Sequence, residues 1–345
     1  MPSHGPVRTS FDFDSPGRRT GFLDLAHSSD DLAFSSVRVP VGVIAGSDGP
    51  TVLLTAGNHG DEYEGQVILH RLMRNTTPEQ LRGRLILLPA LNTPAVGARA
   101  RTSPLDGGNM NRSFPGDPAT GPTGAIAAFV TAHILPRADA VLDFHSGGTA
   151  TQYVDCGFLC LGPDTALNAA NLALAEAFGA PFTMVHPIDG NGGDFDTTAH
   201  LHGKRFLSCE LGGMGTLSPS SLAAGWDGTL RVLAHLGLLK NRDLPAPRPT
   251  RFIEAGAAAG FATAGHHGLA DFRVRIGQEV DKGTPLATLH DIHNFGEVRA
   301  EFVAGQTGIV SIVRRNPIVR PGDHLCLVSR EIPRTEVTTR TGLAT

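Results

Sequence analysis

No stretch of this chain approaches the ~20 consecutive apolar residues that crossing a bilayer requires. No apolar segment opens it either, so neither a membrane span nor an export signal is read. Cysteine is scarce: the 4 present, Cys156, Cys160, Cys209 and Cys326, show no C-x₂-C spacing. They read as reduced thiols of a cytoplasmic protein rather than as a disulfide framework or a zinc knuckle. Basic residues are not clustered and the net charge is −4, which excludes a nucleic-acid surface. Aromatics are few, with 2 Tyr and 1 Trp, whereas 42 Gly and 24 Pro announce many turns and long loops.

What is present is a regular alternation. Val37 to Ala45 is a β-branched run, and Asp48-Gly49-Pro50 turns it into a second strand, Val52 to Ala56. A helical stretch, Glu64 to Arg74, leads to another apolar run, Arg84 to Leu91. Later come a helix over Thr123 to Leu135, a strand over Asp139 to His145 and a helix over Ala166 to Phe178. Strands at Phe182 to His186 and Phe206 to Leu211, then a helix within Leu217 to Leu239, complete the pattern. It predicts an α/β domain: a mixed, mostly parallel sheet covered by helices on both faces. We divide the chain into a loose N-terminal arm (1–20), a catalytic domain (21–240), a Pro-rich linker (241–252) and a small all-β module without a convincing helix (253–345).

The stretch Gly57-Asn58-His59-Gly60-Asp61-Glu62 lies between a strand and a helix, at the sheet edge where α/β folds bind ligands. His59 and Glu62 are three residues apart and can turn toward one metal ion, although Asp61 and Glu62 also suit a helix N-terminus. His145 ends the strand DAVLDFH on the same edge and is followed by two glycines. Together the three make the His₂Glu ligand set of a catalytic zinc site. Glu210 ends another buried strand. There it is either a salt-bridged carboxylate or a general base that takes a proton from the attacking water and passes it to a leaving amine. In the long loop before the second helix, Asn111-Arg112 offers an amide and a guanidinium fork for a carboxylate. Arg101 could polarise a carbonyl; otherwise both arginines are solvated surface charge.

Four motifs in order, HGDE from His59, NMNRSFPG from Asn109, DFHSGG from Asp143 and CELGG from Cys209, resemble the succinylglutamate desuccinylase/aspartoacylase family. That family has the zinc carboxypeptidase-like fold, and the resemblance runs from about Gly42 to Leu239. It implies a zinc amidohydrolase with one Zn²⁺ per chain on His59, Glu62 and His145. It further implies Glu210 as general base, Arg101 as carbonyl polariser, and Asn111 and Arg112 as carboxylate binders. Asn109 stands where the family has an Asp that orients the first metal histidine, so it keeps an acceptor but not the charge. The late tyrosine of aspartoacylase-like members has no counterpart, since neither Tyr63 nor Tyr153 lies in the C-terminal module.

The C-terminal module resembles the family's biotinyl/lipoyl-like β domain. Its turn, Asp291 to Val298, has no carrier lysine, so we read it as structural, shaping the site mouth or an oligomer contact. Asp189 to Asp196 has a calcium-loop composition without the downstream Glu; Asp194 or Asp196 would instead meet a cationic substrate amine. His200 and His202 are read as solvent-facing or supporting residues, and Cys209 as core. Between His145 and Glu210 only Lys204 and Arg205 are basic. The expected substrate is therefore a small N-acylated amino acid with a neutral or cationic side chain. N-Acetylaspartate- or succinylglutamate-like substrates, a peptide carboxy-terminus and a catalytically silent binding protein are the alternatives. A homo-oligomer is left open.

Overall fold

The computed structural model describes residues 6–28, 33–188, 193–240, 244–256 and 258–340. In chain order the first elements are β1 (Val7–Arg8), β2 (Gly17–His27), β3 (Ser35–Ala45), β4 (Ser47–Ala56), α1 (Glu64–Asn75), β5 (Arg82–Leu88) and α2 (Thr93–Ala98). Next come α3 (Pro122–Phe129), β6 (Ala140–His145), β7 (Thr151–Tyr153), β8 (Cys156–Leu161), α4 (Thr165–Phe178), β9 (Phe182–Pro187), α5 (Phe195–Leu201), β10 (Arg205–Glu210) and α6 (Pro219–His235). A single sheet in the order β1-β2-β3-β5-β4-β6-β10-β8-β9 ends on β11 (Arg251–Glu254). Its centre, β5-β4-β6-β10, is parallel, as is β8-β9-β11, while the β1-β2-β3 side and the β8–β10 pair are antiparallel.

Strand alternation divides the core between two faces. On β4, Val52, Leu54 and Ala56 pack with Leu69 and Leu72 of α1, Leu174 and Phe178 of α4, and Leu230 and Leu233 of α6. Leu53 points the other way, toward Ile126 and Phe129 of α3 and Phe195 of α5. The expected α/β architecture is therefore present, with helices on both faces. Cys209 is in the core, as its alternation from Glu210 requires. Among the described residues no helix is long and apolar enough to cross a membrane.

Three boundaries differ from the sequence reading. From residue 6 onward the N-terminal segment is not a loose arm: β2 pairs with β3 over eleven positions, and Val7 and Phe13 are buried in the core. Its Arg- and Thr-rich alternation is that of a strand with one wet face near a sheet edge. The Pro-rich linker, of which 241–243 fall outside the described residues, does not run to residue 252, because β11 still belongs to the large sheet and pairs with β9. A helix, α7 (Arg334–Arg340), also follows the β module. It returns to the large domain, where Val337 packs with Leu159, Leu172 and Phe252.

The module comprises β12 (Phe261–Thr263), β13 (Gly268–Phe272), β14 (Glu279–Val280), β15 (Pro285–His290), β16 (Val298–Val303), β17 (Gly308–Arg314), β18 (Ile318–Val319) and β19 (His324–Ser329). Two antiparallel sheets, β12-β19-β17-β14 and β16-β15-β13-β18, close over Leu286, Leu289, Val310, Leu325 and Val328. One strand of the first sheet is borrowed: β7 of the large domain pairs with β17.

Candidate metal centre

Three parallel strands end at one place. Ala56 of β4 pairs with Phe144 of β6, and His145 pairs with Glu210 of β10. The side chains that follow β4 and those that close β6 and β10 therefore meet at the carboxyl edge of the sheet. The turn after β4 is held close to α2: Gly60 N donates to Ala100 O at 2.8 Å. A Cβ on Gly60 would lie 1.9 Å from Ala95 O, so only glycine admits this approach.

The turn delivers His59 and Glu62, and β6 delivers His145; all three are buried. Glu62 lies between the imidazoles, with Oε1 2.7 Å from His59 Nδ1 and Oε2 3.0 Å from His145 Nδ1. One donor atom from each lies within 4.8 Å of the others, which is the compactness a single ion demands. The far nitrogens are occupied: His59 Nε2 is 3.1 Å from Asn109 Oδ1, and His145 Nε2 is 2.9 Å from Asp143 Oδ2. With a metal bound, each outer acceptor would take the Nε2 proton and leave the Nδ1 lone pair of its imidazole for the ion. Two imidazoles and a carboxylate in a buried pocket match the donor set of catalytic zinc.

Asp143 was not foreseen. It is buried and accepts from Thr55 Oγ1 at 2.5 Å and from Asn58 Nδ2 at 2.8 Å as well as from His145. The signal was the D-x-H spacing on β6, which puts both side chains on one side of the strand. Asp61 also differs from the reading of a helix-start charge. Its Oδ2 accepts from Thr149 N at 2.7 Å and Thr149 Oγ1 at 2.9 Å, so it pins the loop after His145.

Charge at the centre is finely divided. Burial pushes the Glu62 carboxyl up, but the attraction and hydrogen bonds of His145 and His59 outweigh it and bring it to about 2. Burial disfavours a charged His145, yet Asp143 and Glu62 hold its pKa well above the ordinary value. Glu210 is half-buried, but its Oε2 is shielded from solvent and has no hydrogen-bond partner among the described residues. Burial, with Glu62 and Asp143 adding repulsion against the pull of His145 and Arg101, lifts it to about 8.

The loop residues divide. The half-exposed Arg101 reaches the centre: Nη1 is 3.4 Å from His59 Nδ1 and 3.9 Å from Glu62 Oε1. Asn111 spends its carbonyl on structure, with Oδ1 accepting from Phe195 N at 3.0 Å and so tying α5 to the loop; the amide Nδ2 is what it retains for a ligand. Arg112 is exposed, and its Nη1 donates to Asn111 O at 2.5 Å rather than to any group of the triad. Asp194 is the N-cap of α5, accepting from Thr197 N, while Asp196 accepts from Thr197 N and Cys160 Sγ; both carboxylates face protein. The rest of that acidic loop, 189–192, lies outside the described residues. His200 Nε2 accepts from Asp164 N at 3.3 Å, a structural contact. Lys204 donates to Pro136 O and Arg205 to Asp139 O, at the end of β10 opposite Glu210.

With this fold and this arrangement of side chains, residues 48–236 match the succinylglutamate desuccinylase/aspartoacylase catalytic domain, and the chain belongs to that family of hydrolases acting on N-acyl amino acids. Among individual relatives, it is 37% identical over 328 residues to N-alpha-acetyl-L-2,4-diaminobutyric acid deacetylase of Halomonas elongata, spanning 95% of this chain and 96% of that one. It resembles the product-bound ectoine utilization protein EutE (DoeB) from Ruegeria pomeroyi with a TM-score of 0.91 and 37% identity, over 95% of this chain and 100% of that one. A succinylglutamate desuccinylase from Silicibacter sp. TM1040 also superimposes with a TM-score of 0.91, at 34% identity, over 96% and 100% of the two chains.

Proposed function

We propose that this chain is a zinc-dependent deacetylase that hydrolyses N-alpha-acetyl-L-2,4-diaminobutyrate to diaminobutyrate and acetate, a step of ectoine degradation. The observation that carries the chemistry is the His59–Glu62–His145 cluster with Glu210 beside it, its buried Oε2 unpartnered among the described residues. The substrate follows from the relatives that span nearly the whole chain. It agrees with the placement of Lys204 and Arg205, which leaves neither free to receive an anionic side chain.

Zn²⁺, held by His59 Nδ1, His145 Nδ1 and Glu62, would supply a Lewis acid for the acyl carbonyl and lower the pKa of water at the site toward ~7. Asp143 and Asn109 keep the two imidazoles in the ligating tautomer and orientation. Asn109 performs the geometric part of this task without the charge of an Asp. Glu210 Oε2 accepts a proton from the attacking water as the new C–O bond forms, and returns it to the nitrogen as the C–N bond breaks. Arg101 is placed to stabilise the developing oxyanion. Arg112 and the Asn111 amide bind the substrate carboxylate, which requires Arg112 to exchange its contact with Asn111 O for the ligand.

A panel of N-acetylated amino acids, scored by release of free amine, tests the assignment. N-alpha-Acetyl-2,4-diaminobutyrate is expected to exceed N-acetylaspartate in kcat/KM by at least ~10²-fold, the penalty for leaving a charged side chain unpaired. Equal rates, or a preference for the aspartate derivative, would reassign the substrate.

A further inference from the structure

The borrowed strand β7 joins the two parts of the molecule at the active site. On one side it pairs with β17 of the module, in the register Tyr153 to Ile312. On the other it is bonded to the turn that follows Glu210: Tyr153 N donates to Gly212 O at 2.9 Å, and Met214 N to Thr151 O at 2.9 Å. Gly213 has a φ of +137°, and a Cβ there would come within 2.3 Å of Thr151 O, so the turn and β7 are as close as backbone permits. Three residues trapped between two rigid partners leave little freedom in where Tyr153 stands.

The Tyr153 ring packs on the apolar cluster of Val154, Cys156, Met184 and Ile309, the last supplied by the module. Its hydroxyl has no hydrogen-bond partner among the described residues. Besides the buried Cys156, the groups that act on that hydroxyl are three of the centre: Glu210, Arg101 and Glu62. Burial raises its pKa, Glu210 and Glu62 raise it further, and Arg101 opposes them. Burial thus favours the neutral phenol, a hydrogen-bond donor within the electrostatic reach of the general base, a metal ligand and the oxyanion arginine. A half-buried O–H with no protein acceptor, locked at such a place, is a preorganised donor for a ligand.

We propose that Tyr153 is a further catalytic residue, its O–H donating a hydrogen bond to the reacting acyl oxygen alongside Arg101, and that the C-terminal β module serves the reaction by holding it there. The proposal rests on the deacylase reading above. No proton leaves Tyr153; the hydrogen bond strengthens as negative charge develops on the acyl oxygen, so its contribution falls on kcat more than on KM.

Tyr153→Phe keeps the ring and its packing and removes only the hydroxyl. In the zinc-loaded enzyme this substitution is expected to lower kcat for N-alpha-acetyl-2,4-diaminobutyrate by about 10²-fold, as loss of one oxyanion donor does. Zinc content and melting temperature stay at the wild-type value, and KM changes less than about twofold. A kcat within about twofold of wild type overturns the proposal, as does a loss that follows lowered zinc content or resides in KM alone. In each of those outcomes the wild-type enzyme is active and the deacylase reading stands; a wild-type enzyme inactive on every N-acetyl amino acid is instead the failure of that reading.

Discussion

Glu210→Gln is expected to retain one zinc per chain and to lose at least ~10³-fold in turnover, within the range assigned to a lost general acid–base. The residue is not a ligand: it stands outside the compact group of donor atoms, on the adjacent strand, directly paired with His145. Its Oε2 is buried and, among the described residues, unpartnered, the state of a group kept for a transient partner. In the metal-free protein the carboxyl is lifted to about 8 by burial and by the charges of Glu62 and Asp143. Zinc held by Glu62 and the histidines would offset those charges, so that Glu210 in the loaded enzyme would ionise nearer neutrality and act as a base. The acidic limb of the kcat/KM profile is therefore expected to disappear in the Gln variant. Stability gives an independent reading with a definite sign. A carboxyl whose folded-state pKa is raised binds more protons in the native than in the unfolded state between the ordinary value near 4.5 and about 8. It therefore costs stability progressively as pH rises through that window. Metal-free Glu210→Gln should match wild type at pH 4.5 and exceed it by on the order of 1–3 kcal/mol above pH 8, as read by urea denaturation. Wild-type turnover in this variant would remove Glu210 from the reaction.

His145→Ala carries the other large effect. Alanine leaves two ligands, too few to hold zinc, and both bound metal and activity should fall close to none. The metal-free protein should suffer as well. Asp143, Glu62 and Glu210 all converge on this imidazole, which is charged in the absence of metal because Asp143 and Glu62 overcome the burial that disfavours its proton. Removing it strands buried carboxylates without a cation, a change that costs about 3–5 kcal/mol. The melting temperature of chelated His145→Ala should therefore fall well below that of chelated wild type. A variant that keeps stoichiometric zinc would show that the ion sits elsewhere.

The residues that perform the chemistry were legible because each follows a strand whose apolar run marks its end: His59 and Glu62 after TVLLTA, His145 closing DAVLDF and Glu210 closing FLSC. Parallel strands in register then bring those ends together. What was not legible depended on pairing over long distances or on unremarkable composition. Strand β8, CGFLCL, lacks the alternation and β-branched content that distinguish a strand, and it is placed by antiparallel pairing with β10. Strand β2 carries Arg and Thr on its wet face and takes its identity from eleven registered positions on β3. Asp143 looked like one residue of a buried strand; its meaning appears only when Thr55 and Asn58 arrive from another element. Tyr153 belongs to a strand of three residues whose partner, Ile312, lies far along the chain, so no local window could mark it. The Asn111 side chain was assigned wholly to substrate, whereas the start of α5, itself a seven-residue helix with little apolar periodicity, claims its carbonyl.

Metal analysis of the wild-type protein purified without chelator, with deacetylation of N-alpha-acetyl-2,4-diaminobutyrate followed as zinc is stripped and restored, bears most directly on the centre at His59, Glu62 and His145. One zinc per chain, activity that leaves with the metal and activity that returns with it are the expected results. Well under one zinc per chain, with no gain in metal or rate on adding Zn²⁺, would contradict them and leave the fold as that of a silent binding protein.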